Sequence, residues 1–358
     1  MVRQIPVLAY DWSLALLTLL INALGLVVLR TAVPTAALWD SQLIWTVLAI
    51  SLAVGLQFLS RHQVLKFRYV LYAATLFFLL AVLVVGHRVN GAKAWFIFGP
   101  IRLQPSELAK FALVLALAPI VARRPLRRLS DYLLPLALTL PLVALVIIEP
   151  DLGQTAVLLS GLLGILFVRG LPLKHIVVAV LCAGLLIPTV VWPHLKPYQK
   201  QRIEIVFNPQ LDPLGAGFQV IQSQIAIGSG GLWGKGYGRG TQIQYGFVPE
   251  RQTDFIFSAL AEQWGFIGSI GLMLLYFLFF WRLGQMVLEC PRLEDRLIIS
   301  GVLAMLAFQV LINVGVTLGL APVTGITLPF FSYGGSSLIT TYLSLGLVSV
   351  VHRDRLLP

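Results

Sequence analysis

Charge is scarce in this chain. Asp, Glu, Lys and Arg make up 11% of its 358 residues against 58% for the hydrophobic types, and the mean hydropathy is +0.88. Too little polar surface remains to solvate a water-soluble fold of this length, which excludes ordinary soluble enzymes and binding modules. Also missing is the alternation of apolar and polar residues that a membrane β-barrel needs. Apolar residues come instead in long unbroken blocks, and helices are the other backbone that satisfies itself in lipid. Only two cysteines occur. Cys182 sits deep in an apolar block and Cys290 beside a charged connector, depths that do not suit a disulfide. The net charge is +11, but no basic run gathers on one polar face: Lys and Arg are spread between apolar blocks, so no nucleic-acid partner is expected. The first apolar run, from 12 to 29, lacks a small-residue cleavage site and reads as a retained span.

What is present is an all-α membrane protein. At about 20 apolar residues per crossing, the hydropathy pattern predicts some ten transmembrane helices, near 12–30, 38–59, 67–86, 106–121, 132–148, 155–168, 175–192, 255–281, 297–319 and 337–351. The segments at 106–121, 132–148, 155–168 and 337–351 are short, and must be extended by flanking residues or only partly buried in lipid. Connectors on one side are uniformly basic, among them Arg3, Arg61, Lys66, Arg123, Arg124, Arg127, Arg128, Arg169, Lys174, Arg292 and Arg353. Cytoplasmic loops carry such an excess, which puts both termini inside. Residues 1–358 read as a single polytopic domain, and 193–253 as one long extracytoplasmic loop within it. A loop of that length is usually functional, and its segment 217–227 has the apolar spacing of an amphipathic helix lying at the interface. Prolines and glycines in 320–337 break helical structure at membrane depth, as in a re-entrant segment surrounded by protein or water.

Ionisable residues at span ends are the candidates for chemistry, since charge within a membrane is expensive. In QPSELAK, 104–110, Glu107 and Lys110 share a helical face at i, i+3 and read either as a structural salt bridge or as a substrate contact. In EPDLG, 149–153, Asp151 suits a helix cap, while Glu149 is left as a candidate for a cation or substrate contact. The stretch GSGGLWGKGYGRG, 228–240, could approach an anion closely through its backbone, with Lys235 and Arg239 adding charge, or could be a flexible turn. It is not a Walker A loop, because Ser229 stands where the first Gly should be and Gly236 follows the lysine. In VPERQTDFIF, 248–257, Asp254 marks the passage from polar loop to apolar span: it is either a second helix cap, with Thr253, or a desolvated proton acceptor flanked by Glu250, Arg251 and Glu262.

Together these stretches resemble the SEDS family (shape, elongation, division and sporulation) over nearly the whole chain, from Tyr10 to His352. The resemblance is carried by Gln222-Ser223, AIGSGG at 226–231, Pro249-Glu250, TDFIF at 253–257, LPF at 328–330 and SYGGSS at 332–337. Asn208-Pro209, DPLG at 212–215, GKG at 234–236 and GTQ at 240–242 look more like the elongation branch than the division branch. One departure is Gln263, where many relatives carry a second acid after Glu262. The resemblance implies a peptidoglycan glycosyltransferase that polymerises lipid II into glycan strands on the outer face of the bacterial cytoplasmic membrane during cell elongation. It also implies a class B penicillin-binding protein as partner, Asp254 as the essential catalytic residue, and functional importance for Glu107 and Lys110. On that reading Asp254 takes the proton of an attacking sugar hydroxyl. The developing charge on a pyrophosphate leaving group would face cations drawn from Lys93, Lys110, Arg202, Lys235 and Arg239, with a divalent ion, Mg or Mn, as a possible cofactor. Glu250 and Arg251 complete the candidate substrate contacts. A lipid II flippase and a noncatalytic scaffold of the elongation complex are the alternatives.

Overall fold

The computed structural model describes residues 11–356 apart from 34, 90, 91, 100, 196, 213 and 214. Arg3 and Tyr10, with Pro213 and Leu214 of the 212–215 string, lie outside them. A helix occupies every segment that hydropathy marked. In chain order these are α1 (Trp12–Ala32), α2 (Ala36–Leu56), the short α3 (Arg61–Lys66) and α4 (Arg68–Val85). A small antiparallel sheet of β1 (His87–Val89), β2 (Ala92–Phe98) and β3 (Ile101–Leu103) follows, in the order β1-β2-β3. Then come α5 (Pro105–Ala122), α6 (Leu133–Ile148), α7 (Leu152–Val168) and α8 (Leu173–Leu186). A π-helical turn, Ile187–Val191, carries α8 without a break into α9 (Trp192–His194). The long loop folds as α10 (Pro197–Phe207), α11 (Ala216–Gly230) and α12 (Thr241–Gln244), and the chain ends in α13 (Ile256–Glu289), α14 (Leu293–Leu318) and α15 (Gly335–Arg353). Among the described residues, eight helices are long and apolar enough to cross a membrane, and Leu152–Val168 is a shorter apolar one. The chain is therefore a multi-pass helical membrane protein.

Two expectations gain detail. Flanking residues do extend the short segments, so that 106–121 becomes Pro105–Ala122 and 337–351 becomes Gly335–Arg353. Helix α13 runs past its expected end at 281 to Glu289, where Arg282, having left the apolar run, pairs with Asp11 ahead of α1 and with Glu289 about two turns further on.

Which helices sit inside follows from what they carry. The apolar window of α5 is 83% buried and that of α2 only 17%. Helix α5 holds Ser106, Glu107 and Lys110, which lipid would not tolerate, and alanines that let neighbours come close. In α7, Gly161 and Gly164 give the same closeness, since a Cβ at either would collide with Met305 or Ala304 of α14. The irregular segment 320–334 meets the rule for backbone at membrane depth. Asn22 of α1 donates to the Phe330 carbonyl, Gln42 of α2 donates to Ser332 O and accepts from Gly334 N, and the Tyr276 hydroxyl of α13 donates to Pro329 O. Three helices thus supply the hydrogen bonds that water cannot.

The glycine-dense stretch turns out to be a packing device. Helix α13 breaks at Gly265, whose φ is +65°, and the stretch lies in the break. Lys235 N donates to Glu262 O and Gly236 N to Gln263 O, while Phe266 N and Ile267 N donate to Gly231 O and Leu232 O. The stretch's own Lys235 and Gly236 amides are thus spent on protein carbonyls, an arrangement that serves packing. Gly234, at φ +81°, allows the contact: a Cβ there would stand 2.2 Å from Gln263 O. The replacement Gly234→Ala is therefore expected to destabilise the purified protein by about 1–3 kcal/mol, read as a fall in the thermal unfolding midpoint. An unchanged midpoint would remove the packing role.

Candidate active site

Four segments converge at one end of the bundle: the loop 249–255 before α13, the start of α5, the turn 149–154 between α6 and α7, and the segment 322–328. Each is held by specific bonds. Glu250 O accepts from Thr253 N and Phe255 N, making a tight turn. The Thr253 hydroxyl bonds back to Glu250, and Ser332 reaches across to Thr253 O while its oxygen accepts from Leu328 N. Asn313 of α14, 1% exposed, donates to both Asp254 O, at 3.0 Å, and Ile326 O, at 2.8 Å, and so ties two of the segments together. Among the described residues, the three non-glycine positions with positive φ are Pro150, Glu250 and Phe330, all in these segments or just beyond them. Strain of this kind persists only where surroundings enforce it, and it gathers at functional sites.

Asp254 is not a helix cap. The cap of α13 is Phe255, with no side-chain hydrogen bond, and Thr253 spends its hydroxyl on Glu250. The Asp254 carboxyl lies deep among protein atoms yet keeps partial exposure, beside Gly325, where a Cβ would be 4.0 Å from Oδ2. Burial pushes its pKa up to about 7, helped by the negative charges of Glu250 and Asp151 and opposed by Arg202. A carboxyl poised there is a stronger proton acceptor than one in water.

The Glu107–Lys110 pair is dry. Its atoms are 2.5 Å apart and its residues are 2% and 4% exposed. Gln154 donates to Glu107 Oε1 at 2.6 Å, and its backbone N–H is capped by Asp151 Oδ1. Gln104 donates to the other Asp151 oxygen and ties the site to α15 through its own backbone N–H, which donates to Ser336 Oγ. Asp151 therefore caps α7 as expected and also joins the acidic face of the site: burial lifts its pKa to about 6, Glu107 adds to that, and bonds from Gln154 and Gln104 hold it down. Arg202, on α10, donates to Val323 O at 3.2 Å and lies close enough to Asp254 to act on its charge. Glu250 is also there.

Other candidates are used elsewhere. Lys93, on β2, donates to Val84 O and closes the end of α4. Lys235 pairs at 2.7 Å with Glu262, whose fully buried carboxylate also accepts from Gln242 N and Ile243 N, so both residues anchor the glycine stretch. Arg251 donates to Ala32 O at the end of α1. These three cations are engaged by protein groups, whereas Arg202 also acts on the charge of Asp254. Arg239 is exposed on the glycine stretch, its stem against Gly236. Glu149 is fully buried with neither oxygen partnered among the described residues, and burial beside Asp151 pushes its pKa up to about 9. Burial beside Asp151 favours its protonated form, and at 0% exposure it presents no face to an outer cation. Among the described residues, no three His, Cys, Asp or Glu side chains are grouped to hold a metal ion. Gln104, Gln154 and Asn313 were not singled out from sequence. Buried amides give no periodic signal, and only the neighbours of Gln104 and Gln154 in the acidic motifs pointed near them.

A helical membrane protein with a desolvated aspartate and a buried ion pair in segments that converge at one end of the bundle is the class that these features define. The chain belongs to the FtsW/RodA/SpoVE family of cell cycle proteins, whose profile matches residues 10–356. It is 40% identical over 287 residues to the peptidoglycan glycosyltransferase MrdB of Escherichia coli K12, covering 80% of this chain and 77% of that one. To the peptidoglycan glycosyltransferase RodA of Treponema pallidum it is 33% identical, covering 88% and 89%. Among solved structures, it matches a chain of a peptidoglycan synthase complex that coordinates polymerization and crosslinking, with TM-score 0.87 and 51% identity over 98% of this chain and 100% of that one. It also matches the crystal structure of the rod shape determining protein RodA of Thermus thermophilus, with TM-score 0.76, 45% identity and 98% of each chain covered.

Removing one member of a buried ion pair leaves the other charge unpaired. Glu107→Gln or Lys110→Met alone is expected to cost about 3–5 kcal/mol, and the double variant to recover much of it. Thermal unfolding of the three purified proteins checks this, and strictly additive losses would contradict it.

Proposed function

We propose that this chain is a peptidoglycan glycosyltransferase of the RodA type, which polymerises lipid II on the outer face of the cytoplasmic membrane. In this reading the eight long helices, the shorter Leu152–Val168 and the continuous helical run 173–194 make ten crossings, with both termini in the cytoplasm. The site then opens outward under the 193–253 loop. A class B penicillin-binding protein is the partner that cross-links the strand, a reading supported by the likeness to a chain of the peptidoglycan synthase complex.

The observation that carries the proposal is Asp254, an acid freed from capping, with its proton affinity raised to about 7, in a partly open site that also holds Arg202. The acceptor hydroxyl gives its proton to the Asp254 carboxylate as its oxygen attacks the anomeric carbon of the donor. The bond from that carbon to the pyrophosphate oxygen breaks, and the leaving anion takes the electron pair. Positive charge fixed in a dry setting favours that anion, and Arg202 and Lys110 supply it, with exposed Arg239 at the rim. Asn313 and the Glu250 turn hold the base in place. A magnesium or manganese ion would be held chiefly by the substrate pyrophosphate, since among the described residues no three His, Cys, Asp or Glu side chains are grouped to hold one. A flippase would need ionisable groups along a path through the bundle, whereas the acids and cations here sit toward its ends.

The sign of the pH dependence follows. Only ionised Asp254 accepts a proton, so polymerisation by the purified complex is expected to rise with pH and level off above about 7. Asp254→Asn is expected to fold and still bind lipid II, with glycan synthesis reduced roughly 10²–10⁴-fold. Gel ladders of glycan product read both, and full-length ladders from the Asp254→Asn protein would falsify the assignment.

A further inference from the structure

A small cavity lies between α5, α14 and α15, lined by Lys110, Gln309, Thr340, Thr341 and Ser344 and otherwise by aliphatic groups. Its free volume of about 10 Å³ is close to that of one water molecule. Gln309 is 1% exposed, and neither its amide oxygen nor its amide nitrogen has a partner among the described residues. The Lys110 ammonium carries three donors, and beyond the Glu107 carboxylate at 2.5 Å it has no partner there either. Native interiors leave very few such groups unmatched, and ordered water supplies what protein does not.

The chemistry of the lining selects the occupant. Thr341 already donates its hydrogen to Ser337 O and Ser344 to Thr340 O, so these hydroxyls have only oxygen lone pairs left to offer. Lys110 and the Gln309 amide nitrogen offer hydrogens. An anion would meet the lone pairs, and a metal cation would meet the ammonium. Water satisfies both kinds of group. We infer that one water molecule, buried between Gln309 and Lys110, fixes the direction of the Lys110 ammonium, which makes Gln309 a positioning residue for glycan polymerisation.

The place of Gln309 strengthens this. It lies one turn from Asn313 on the same face of α14, and Asn313 holds the backbone of Asp254 and of Ile326. One rigid helix thus sets the base through one amide and the cation through the next. The inference rests on the reading of Lys110 as the cation that faces the leaving pyrophosphate.

The test compares Gln309→Leu with Lys110→Met in lipid II polymerisation by the complex with its class B partner. A hydrogen bond to a charged group is strong enough that losing it should lower kcat for Gln309→Leu roughly tenfold or more. KM should stay within about twofold, because the water orients the ammonium without touching substrate, and the protein should remain folded, since leucine fills a similar volume in a largely apolar lining. Wild-type turnover by Gln309→Leu, or a rise in KM alone, overturns the inference if Lys110→Met is inactive. An active Lys110→Met would instead remove the reading of Lys110 itself. A high-resolution map of the unaltered protein decides the matter even if the leucine variant misfolds: ordered density within hydrogen-bond reach of both Lys110 Nζ and the Gln309 amide supports the inference, and an empty cavity overturns it.

Discussion

A lysine ammonium and a glutamate carboxylate 2.5 Å apart, both shut away from water, are what the rest of this structure has to accommodate. Two charges in such a place are tolerable only when geometry is good and the leftover hydrogen-bonding capacity is met. Helix α5 therefore lies at the centre of the bundle, Gln154 is drawn in from α7 to bond Glu107, and Asp151 caps that helix while facing the same enclosure. The polar residues of α5 and α7 are in this sense one network, and the apolar helices around them keep lipid out.

The base is held by different means. Asp254 belongs to a loop whose shape is fixed by backbone bonds, by a strained Glu250 and by an amide from α14, none of which touches its carboxyl. The carboxyl is left to its surroundings, and burial with two neighbouring acids raises its affinity for a proton. A site built in this way keeps the reacting group free of local bonds while the backbone beneath it cannot drift.

The architecture was legible in the sequence because lipid imposes a single criterion, apolar length, and every segment that met it is a helix. The acidic motifs were legible too, since charge next to a span is rare enough to stand out. What could not be read was partnership. Lys93, Lys235 and Arg251 have the right charge in the right region, but each is answered by a carbonyl or carboxylate on another element, such as Ala32 for Arg251. The glycine stretch misled for the same reason: glycine that frees a backbone to meet a phosphate also frees it to meet another backbone, and only the break at Gly265 shows which was needed. The sheet at 87–103 does not announce itself by alternation, because two of its strands have three residues each and β2 ends in an unbroken apolar run.

The bonds from Asn22 and Gln42 to the backbone near residue 330 join positions about 300 apart in the chain. A ribosome feeding this protein into a membrane delivers α1 and α2 long before the segment they serve. Until then, two amides wait inside the bilayer for carbonyls that have not been made, and they must be sheltered by water, by the insertion machinery or by each other. Completion of the reaction chamber is thereby coupled to late synthesis: a nascent chain halted at the end of α14 has neither the floor of the chamber nor a comfortable place for its first two spans.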